Sequence, residues 1–139
     1  MSIVMLQPVI ALVMWTFIMW LWMYVTRLPA IQKMKLKMDP HVPPRDLMNQ
    51  LPATVRWKAD NYNHLFEMPT LFYAVALSLA MLGDATSWSV NLAWTYVTLR
   101  VIHSLFQSTV NKIEVRFSIF ALSSTVLFAL TVRAAIAVF

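Results

Sequence analysis

From Ser2 to Thr26 no side chain carries a charge, and the run VIALVMWTFIMWLWMYV (residues 9–25) presents apolar groups on every helical face. An α-helix rises about 1.5 Å per residue, so about 20 residues cross the roughly 30 Å hydrocarbon layer of a bilayer. A first membrane span is therefore expected over about 6–26. A cleaved leader would need a basic start and a small-x-small cleavage site, and neither is found here, so a retained helix is expected.

Composition points the same way. Of 139 residues 60% are hydrophobic and only 12% charged, against about a quarter charged in a soluble domain. The chain is expected to form one domain over residues 1–139, an all-α integral membrane protein. With no cysteine it has no thiol nucleophile of its own, no disulfide and no Cys-ligated metal. A single glycine nearly excludes a phosphate-cradling loop, and His41, His64 and His103 are too scattered to suggest a metal site.

After Arg27 the character changes. Lys33, Lys35, Lys37, Arg45, Arg56 and Lys58 follow, with Pro29, Pro40, Pro43, Pro44 and Pro52 among them. Proline disrupts helix interiors, so 27–62 reads as a long basic connection. Further helices are expected at about 63–82, 87–110 and 115–138, which makes a four-transmembrane-helix bundle. Gly83-Asp84 followed by Thr86 and Ser87 reads as a helix stop, a turn and a new N-cap. Lys and Arg are retained on the cytoplasmic side. The first connection holds seven of them, the third holds Lys112 and Arg116, and the second holds none. The connection 27–62 is thus expected in the cytoplasm, with both termini on the opposite side. This bias accounts for the net charge of +5 without a nucleic-acid partner. With no GxxxG site, close helix approach falls to small residues such as Ala121, Ser123, Ser124, Ala129 and Ala134.

An ionisable group inside a bilayer costs about 2.5–3.5 kcal/mol, so such groups invite a functional reading. Two clusters qualify. Asn63 and His64 precede Glu67 by four and three residues, which puts them on neighbouring parts of one helical face. Asp60 and Asn61 are explained by helix capping. In the third helix Arg100, His103, Ser104, Gln107 and Asn111 stand at offsets of 3, 4, 7 and 11 and trace one stripe. Arg100 lies about 16 Å along the helix from its polar end, so it must face protein, water or ligand. Glu67 is its expected partner. The plain alternative is a structural ion pair that holds the helices together.

The four-span layout, NHLFEMP at 63–69 and RVIHS at 100–104 resemble the MAPEG family, the membrane-associated proteins of eicosanoid and glutathione metabolism, in a bacterial-type form. The resemblance runs from the first helix to the fourth. It implies a homotrimer of four-helix protomers in a bacterial inner membrane, with glutathione bound as cosubstrate between protomers toward the cytoplasmic side. In the family's N-x-x-E-x-x-P pattern Glu67 matches the acid. His64 stands in the asparagine's place with Asn63 one residue earlier, and Pro69 also comes one residue early. Arg100 and His103 match the third-helix pattern, and Gln107 stands where tyrosine is frequent. Arg116 falls where catalytic members hold the glutathione thiolate, and Arg27 is a further ligand-contacting arginine by the same resemblance. Phe120 occupies a place where several glutathione-using members carry tyrosine.

The resemblance implies a glutathione-dependent transferase or peroxidase acting on lipophilic substrates, with Arg116 catalytic and Arg27, Asn63, His64, Glu67, Arg100, His103 and Gln107 binding glutathione. The alternative is a non-catalytic membrane module that binds lipid or a partner membrane protein; Gln107 and Phe120 favour it. A proton channel through Glu67 and His103 lacks enough titratable groups for a continuous relay.

Overall fold

The computed structural model describes residues 2–139, and among them every regular element is helical. The order is α1 (Ile3–Lys33), α2 (Pro44–Met48), α3 (Ala53–His64), α4 (Met68–Met81), α5 (Ser87–Thr109) and α6 (Ile113–Val138). Helix α1 packs on α3, α4 and α5, while α6 lies against α4 and α5.

Three features differ from the sequence reading. The first helix does not end with its uncharged run but continues through Arg27 and Pro29 to Lys33. A charge ends the hydrocarbon stretch without ending the helix, because Leu, Ala, Gln and Lys are all good helix formers. The basic connection is also partly helical: α2 and most of α3 lie within the 27–62 expected as a long basic connection. The helix expected over 63–82 is broken at Leu65–Glu67. Pro69 has no N–H, and its ring would strike the Leu65 carbonyl in a continuous helix. The chain therefore closes α3 at His64, turns, and restarts with Glu67 in the N-cap position of α4.

With only 14 residues, α4 reaches about 21 Å and falls short of the hydrocarbon thickness. Joined to α3 it forms Ala53–Met81, one of three segments long and apolar enough to cross a membrane; the others are Ile3–Met34 and Ile113–Val138. The 23 residues of α5 give it the length but not the hydropathy, because its polar stripe dilutes the apolar residues. That stripe is turned inward. Arg100, His103, Ser104, Gln107 and Ser108 are all buried.

The outside of the bundle is apolar. Ile3, Phe17, Trp88, Phe128 and Ile136 are between 66% and 76% exposed, which suits acyl chains and not water. Met5, Leu12, Met19, Phe72, Leu79, Tyr96 and Leu130 fill the core. Of the small residues on α6, Ser123 is fully buried and the other four are partly buried.

Hydrogen bonds fix which helix ends meet. Ser2 N–H donates to the Ala80 carbonyl (2.8 Å), and Arg133 reaches Thr86 and Ser89 at the start of α5. The start of α1, the end of α4, the start of α5 and the end of α6 thus gather at one end. At the other end Lys58 Nζ of α3 donates to the Ser108 carbonyl on the last turn of α5 (3.2 Å) and lies 5.0 Å from the Trp22 ring of α1. A cation at a helix C-terminus answers the exposed carbonyls there.

Candidate functional site

The break between α3 and α4 sets the geometry of the site. At the end of α3, His64 Nδ1 lies 3.0 Å from Glu67 Oε2. A carboxylate in that position accepts from Nδ1–H, which leaves Nε2 as the ring's acceptor. Glu67 itself points outward, its side chain 62% exposed.

The expected pairing of Glu67 with Arg100 is not formed. Arg100 is 1% exposed, so it does not face acyl chains, but its hydrogen bond runs from an amino nitrogen to the His64 carbonyl at 3.5 Å, the outer limit of such a bond. The reason is the break itself. Glu67 lies one turn beyond the α3 terminus, at the restart of α4, where its carboxylate meets His64 Nδ1 instead.

His103, one turn beyond Arg100, is the centre of the cluster. Its ring is 6.3 Å from that of His64 and 6.3 Å from that of Phe120 on α6. Arg100 lies one turn before it on α5, and Arg116 lies one turn before Phe120 on α6. Arg116, half-buried on the opening turns of α6, donates to Asn111 Oδ1 at 2.6 Å. Asn111 sits at φ 53° between α5 and α6, in the left-handed region that asparagine tolerates better than most residues. This bond uses one terminal nitrogen of Arg116 and leaves its other N–H groups to point elsewhere.

Many buried groups of this seam find no partner in the chain. They are Arg100 Nε, His103 Nδ1, Ser104 Oγ, Gln107 Oε1, Ser108 Oγ, Tyr96 Oη, and both amide atoms of Asn61. Each unsatisfied buried group costs about 1–3 kcal/mol. Such a concentration along one face of α5 and α3 leaves donors and acceptors open to a ligand or a partner. Asn61 was read from the sequence as a cap, yet it is fully buried on α3, three residues before His64 and on the same side of the helix. That three-residue offset was the available signal.

The remaining expected site residues lie apart. Arg27 and Asn63 line a polar cavity on another side of α3, together with Arg45 and Arg56. The structure therefore divides the sequence-derived set in two: His64, Glu67, Arg100, His103, Gln107 and Arg116 around the α3–α5–α6 seam, and Arg27 with Asn63 at the basic cavity. A third feature is a small aromatic cavity of about 170 Å³ lined by Thr16, Phe17, Trp20, Tyr62, Phe66 and Tyr73. Phe66 connects it to the seam, since it lies between His64 and Glu67 in the turn.

Comparison with known proteins gives one match. The model of the MAPEG family covers residues 5–136, nearly the whole chain. No curated protein and no solved structure matches.

Proposed function

The chain belongs to the MAPEG family and is an integral membrane protein; from that premise we propose that it is a glutathione-dependent transferase or peroxidase for lipophilic substrates. The observation that carries the reading is the seam of partnerless buried polar groups around His103, flanked by Arg100 and Arg116.

Glutathione carries two carboxylates, an ammonium group and a thiol, and the seam offers counterparts to one carboxylate, the ammonium and the thiol. Arg100 has a free buried Nε and a planar fork suited to a carboxylate. Glu67, exposed at the turn, suits the ammonium, and Gln107 Oε1 is an acceptor for a peptide N–H. The chain has no cysteine, so the sulfur nucleophile must come from this cosubstrate. Arg116 would hold it as a thiolate, because a neighbouring guanidinium favours the anion over the thiol. The ordinary tyrosine hydroxyl is replaced by Phe120, and His64 takes over part of that task. Its Nδ1 is anchored on Glu67, and its Nε2 accepts the thiol proton. In a conjugation the sulfur electron pair then forms the S–C bond, the leaving group departs with the electrons of its own bond, and the imidazolium gives its proton to the departing anion or to water. The aromatic cavity beside Phe66 gives the lipophilic acceptor an apolar seat. We place this work in a homotrimer of four-span protomers in a bacterial inner membrane, with the basic segment 27–62 on the cytoplasmic side.

Purified protein in detergent should bind glutathione and conjugate it to a lipophilic electrophile, and Arg116→Ala should lower kcat/KM by about 100-fold or more. A folded protein that neither binds nor consumes glutathione rules the reading out. Copurified lipid in the seam would then favour the non-catalytic alternative, a lipid-binding module.

A further inference from the structure

The basic cavity gathers three arginines against one carboxylate. It measures about 370 Å³, and its polar lining comprises Arg27 from α1, Arg45 from α2, Asn49 just after α2, and Arg56, Asp60 and Asn63 from α3. Three guanidinium groups less one carboxylate leave a charge of +2 on these walls. Among the described residues the only ion pairs are His64–Glu67 and Arg133–Asp84, so Asp60 neutralises none of the three arginines. The Nε atoms of Arg27 and Arg56 are buried and have no hydrogen-bond partner. Converged guanidinium groups repel one another, and a buried N–H without an acceptor carries a further cost. An anion with several oxygen acceptors removes both penalties at once.

The location narrows the chemistry. Arg27 is the first charged side chain after the uncharged run of α1, so it stands where hydrocarbon gives way to headgroups. The volume falls within the range of small-ligand pockets and exceeds what a bare inorganic anion needs. Asp60, a lone acceptor on a cationic wall, suits a hydroxyl carried by the same ligand.

We propose that this cavity binds a phosphate-bearing anion with a hydroxylated substituent, its phosphate held by Arg27, Arg45 and Arg56. Asn49 and Asn63 add neutral donors, and Asp60 receives the hydroxyl. Two sources share this chemistry, a phosphatidylglycerol headgroup and a soluble glycerophosphate. The site lies across α3 from the His103 seam and does not depend on the glutathione reading.

The test uses the full-length protein, delipidated in detergent. Phosphatidylglycerol, phosphatidylcholine, glycerol-3-phosphate, inorganic phosphate and glutathione are added separately, and binding is followed by native mass spectrometry and thermal shift. Phosphatidylglycerol should be retained in preference to phosphatidylcholine, one per protomer, and Arg45→Gln with Arg56→Gln should weaken it about tenfold or more. If glycerol-3-phosphate binds with the same dependence on the arginines and the lipid does not, the source is soluble and the site stands. Arg45→Lys and Arg56→Lys, which keep the charge, should retain much of the affinity and serve as the folding control. Binding indifferent to both Gln substitutions overturns the proposal. So does displacement of the phosphate ligand by glutathione in the wild type, since the cavity would then belong to the peptide. Loss of glutathione turnover with phosphate binding intact would strike the proposed function alone.

Discussion

The two ends of the bundle handle buried polar groups in opposite ways. At the end formed by the α4–α5 turn, Asp84, Thr86, Ser89 and Arg133 satisfy one another. Ser89 Oγ donates to Asp84 Oδ2 at 2.6 Å, Thr86 Oγ1 donates to Asp84 Oδ1 at 2.8 Å, and Arg133 reaches Ser89 Oγ at 3.1 Å and Thr86 Oγ1 at 3.0 Å. At the other end, Arg100, His103, Gln107 and Asn61 are as deeply buried as Ser89 but leave donors and acceptors unmatched. A closed network rigidifies and has nothing left to offer a ligand, whereas an open one costs stability unless a partner completes it. The first is a clasp and the second is the candidate site.

Exchanging polar for apolar side chains at the two ends separates these roles. The largest effect is expected at Arg100→Met. It should weaken glutathione binding by about 100-fold or more, as the loss of one partner from a buried charge pair does. The same change should leave the thermal midpoint unchanged or higher, because a buried guanidinium is replaced by an apolar chain of similar length. Arg133→Met should do the reverse. It strips two hydroxyls of a donor and the partly buried Asp84 of its counter-charge, so unfolding stability should fall by about 1–3 kcal/mol while glutathione affinity is unchanged. If both variants lose stability and neither loses binding, the distinction between clasp and site fails.

How far this contrast could be read from the sequence depends on the range of the interactions. The stripe on α5 was legible because offsets of 3, 4 and 7 in an apolar helix leave its polar residues no home but the interior. Thr86 as a cap was legible from its position after Gly83-Asp84; its hydroxyl accepts from Ser89 N–H at 3.4 Å. Arg133 as its partner was not, since 47 residues separate it from Thr86 and no local pattern links them. The break at Leu65–Glu67 was hidden for a different reason. Pro69 fits a helix start as easily as an interruption, and the polar run RWKADNYN before it lacks the apolar period that would mark a helix. Missing that break also misdirected Glu67 toward Arg100. Arg45 and Arg56 were visible only as part of a basic connection, and their convergence on one cavity required coordinates.

Asn61 sharpens the contrast with a smaller effect. Both atoms of its amide are buried without partners, so Asn61→Leu removes two unsatisfied groups while keeping the branching and number of side-chain heavy atoms. Stability should move by no more than about 1 kcal/mol and in the favourable direction, as chemical or thermal unfolding in detergent would show. Ser89→Ala, at an equally buried position whose hydroxyl is used, should be destabilising. If Asn61→Leu costs as much as Ser89→Ala, the amide has partners the protomer does not supply, and a neighbouring subunit becomes their source.

The smallest expected effect is the pH response of the clasp. Burial pushes the Asp84 carboxyl up, but the hydrogen bonds from Ser89 and Thr86 and the charge of Arg133 outweigh it and hold the group below its ordinary value of 3.8. A carboxylate whose pKa is depressed by folding contributes stability that is fully present above its unfolded pKa and is lost as pH falls through the folded one. Wild type should therefore exceed Asp84→Asn in thermal midpoint by a constant margin around neutral pH. The margin should shrink once the pH drops below the ordinary carboxylate range. The other acids are common to both proteins and cancel in the difference. A margin independent of pH down to strong acid would mean that Asp84 acts through its shape and hydrogen-bonding capacity alone, and that the clasp owes nothing to its charge.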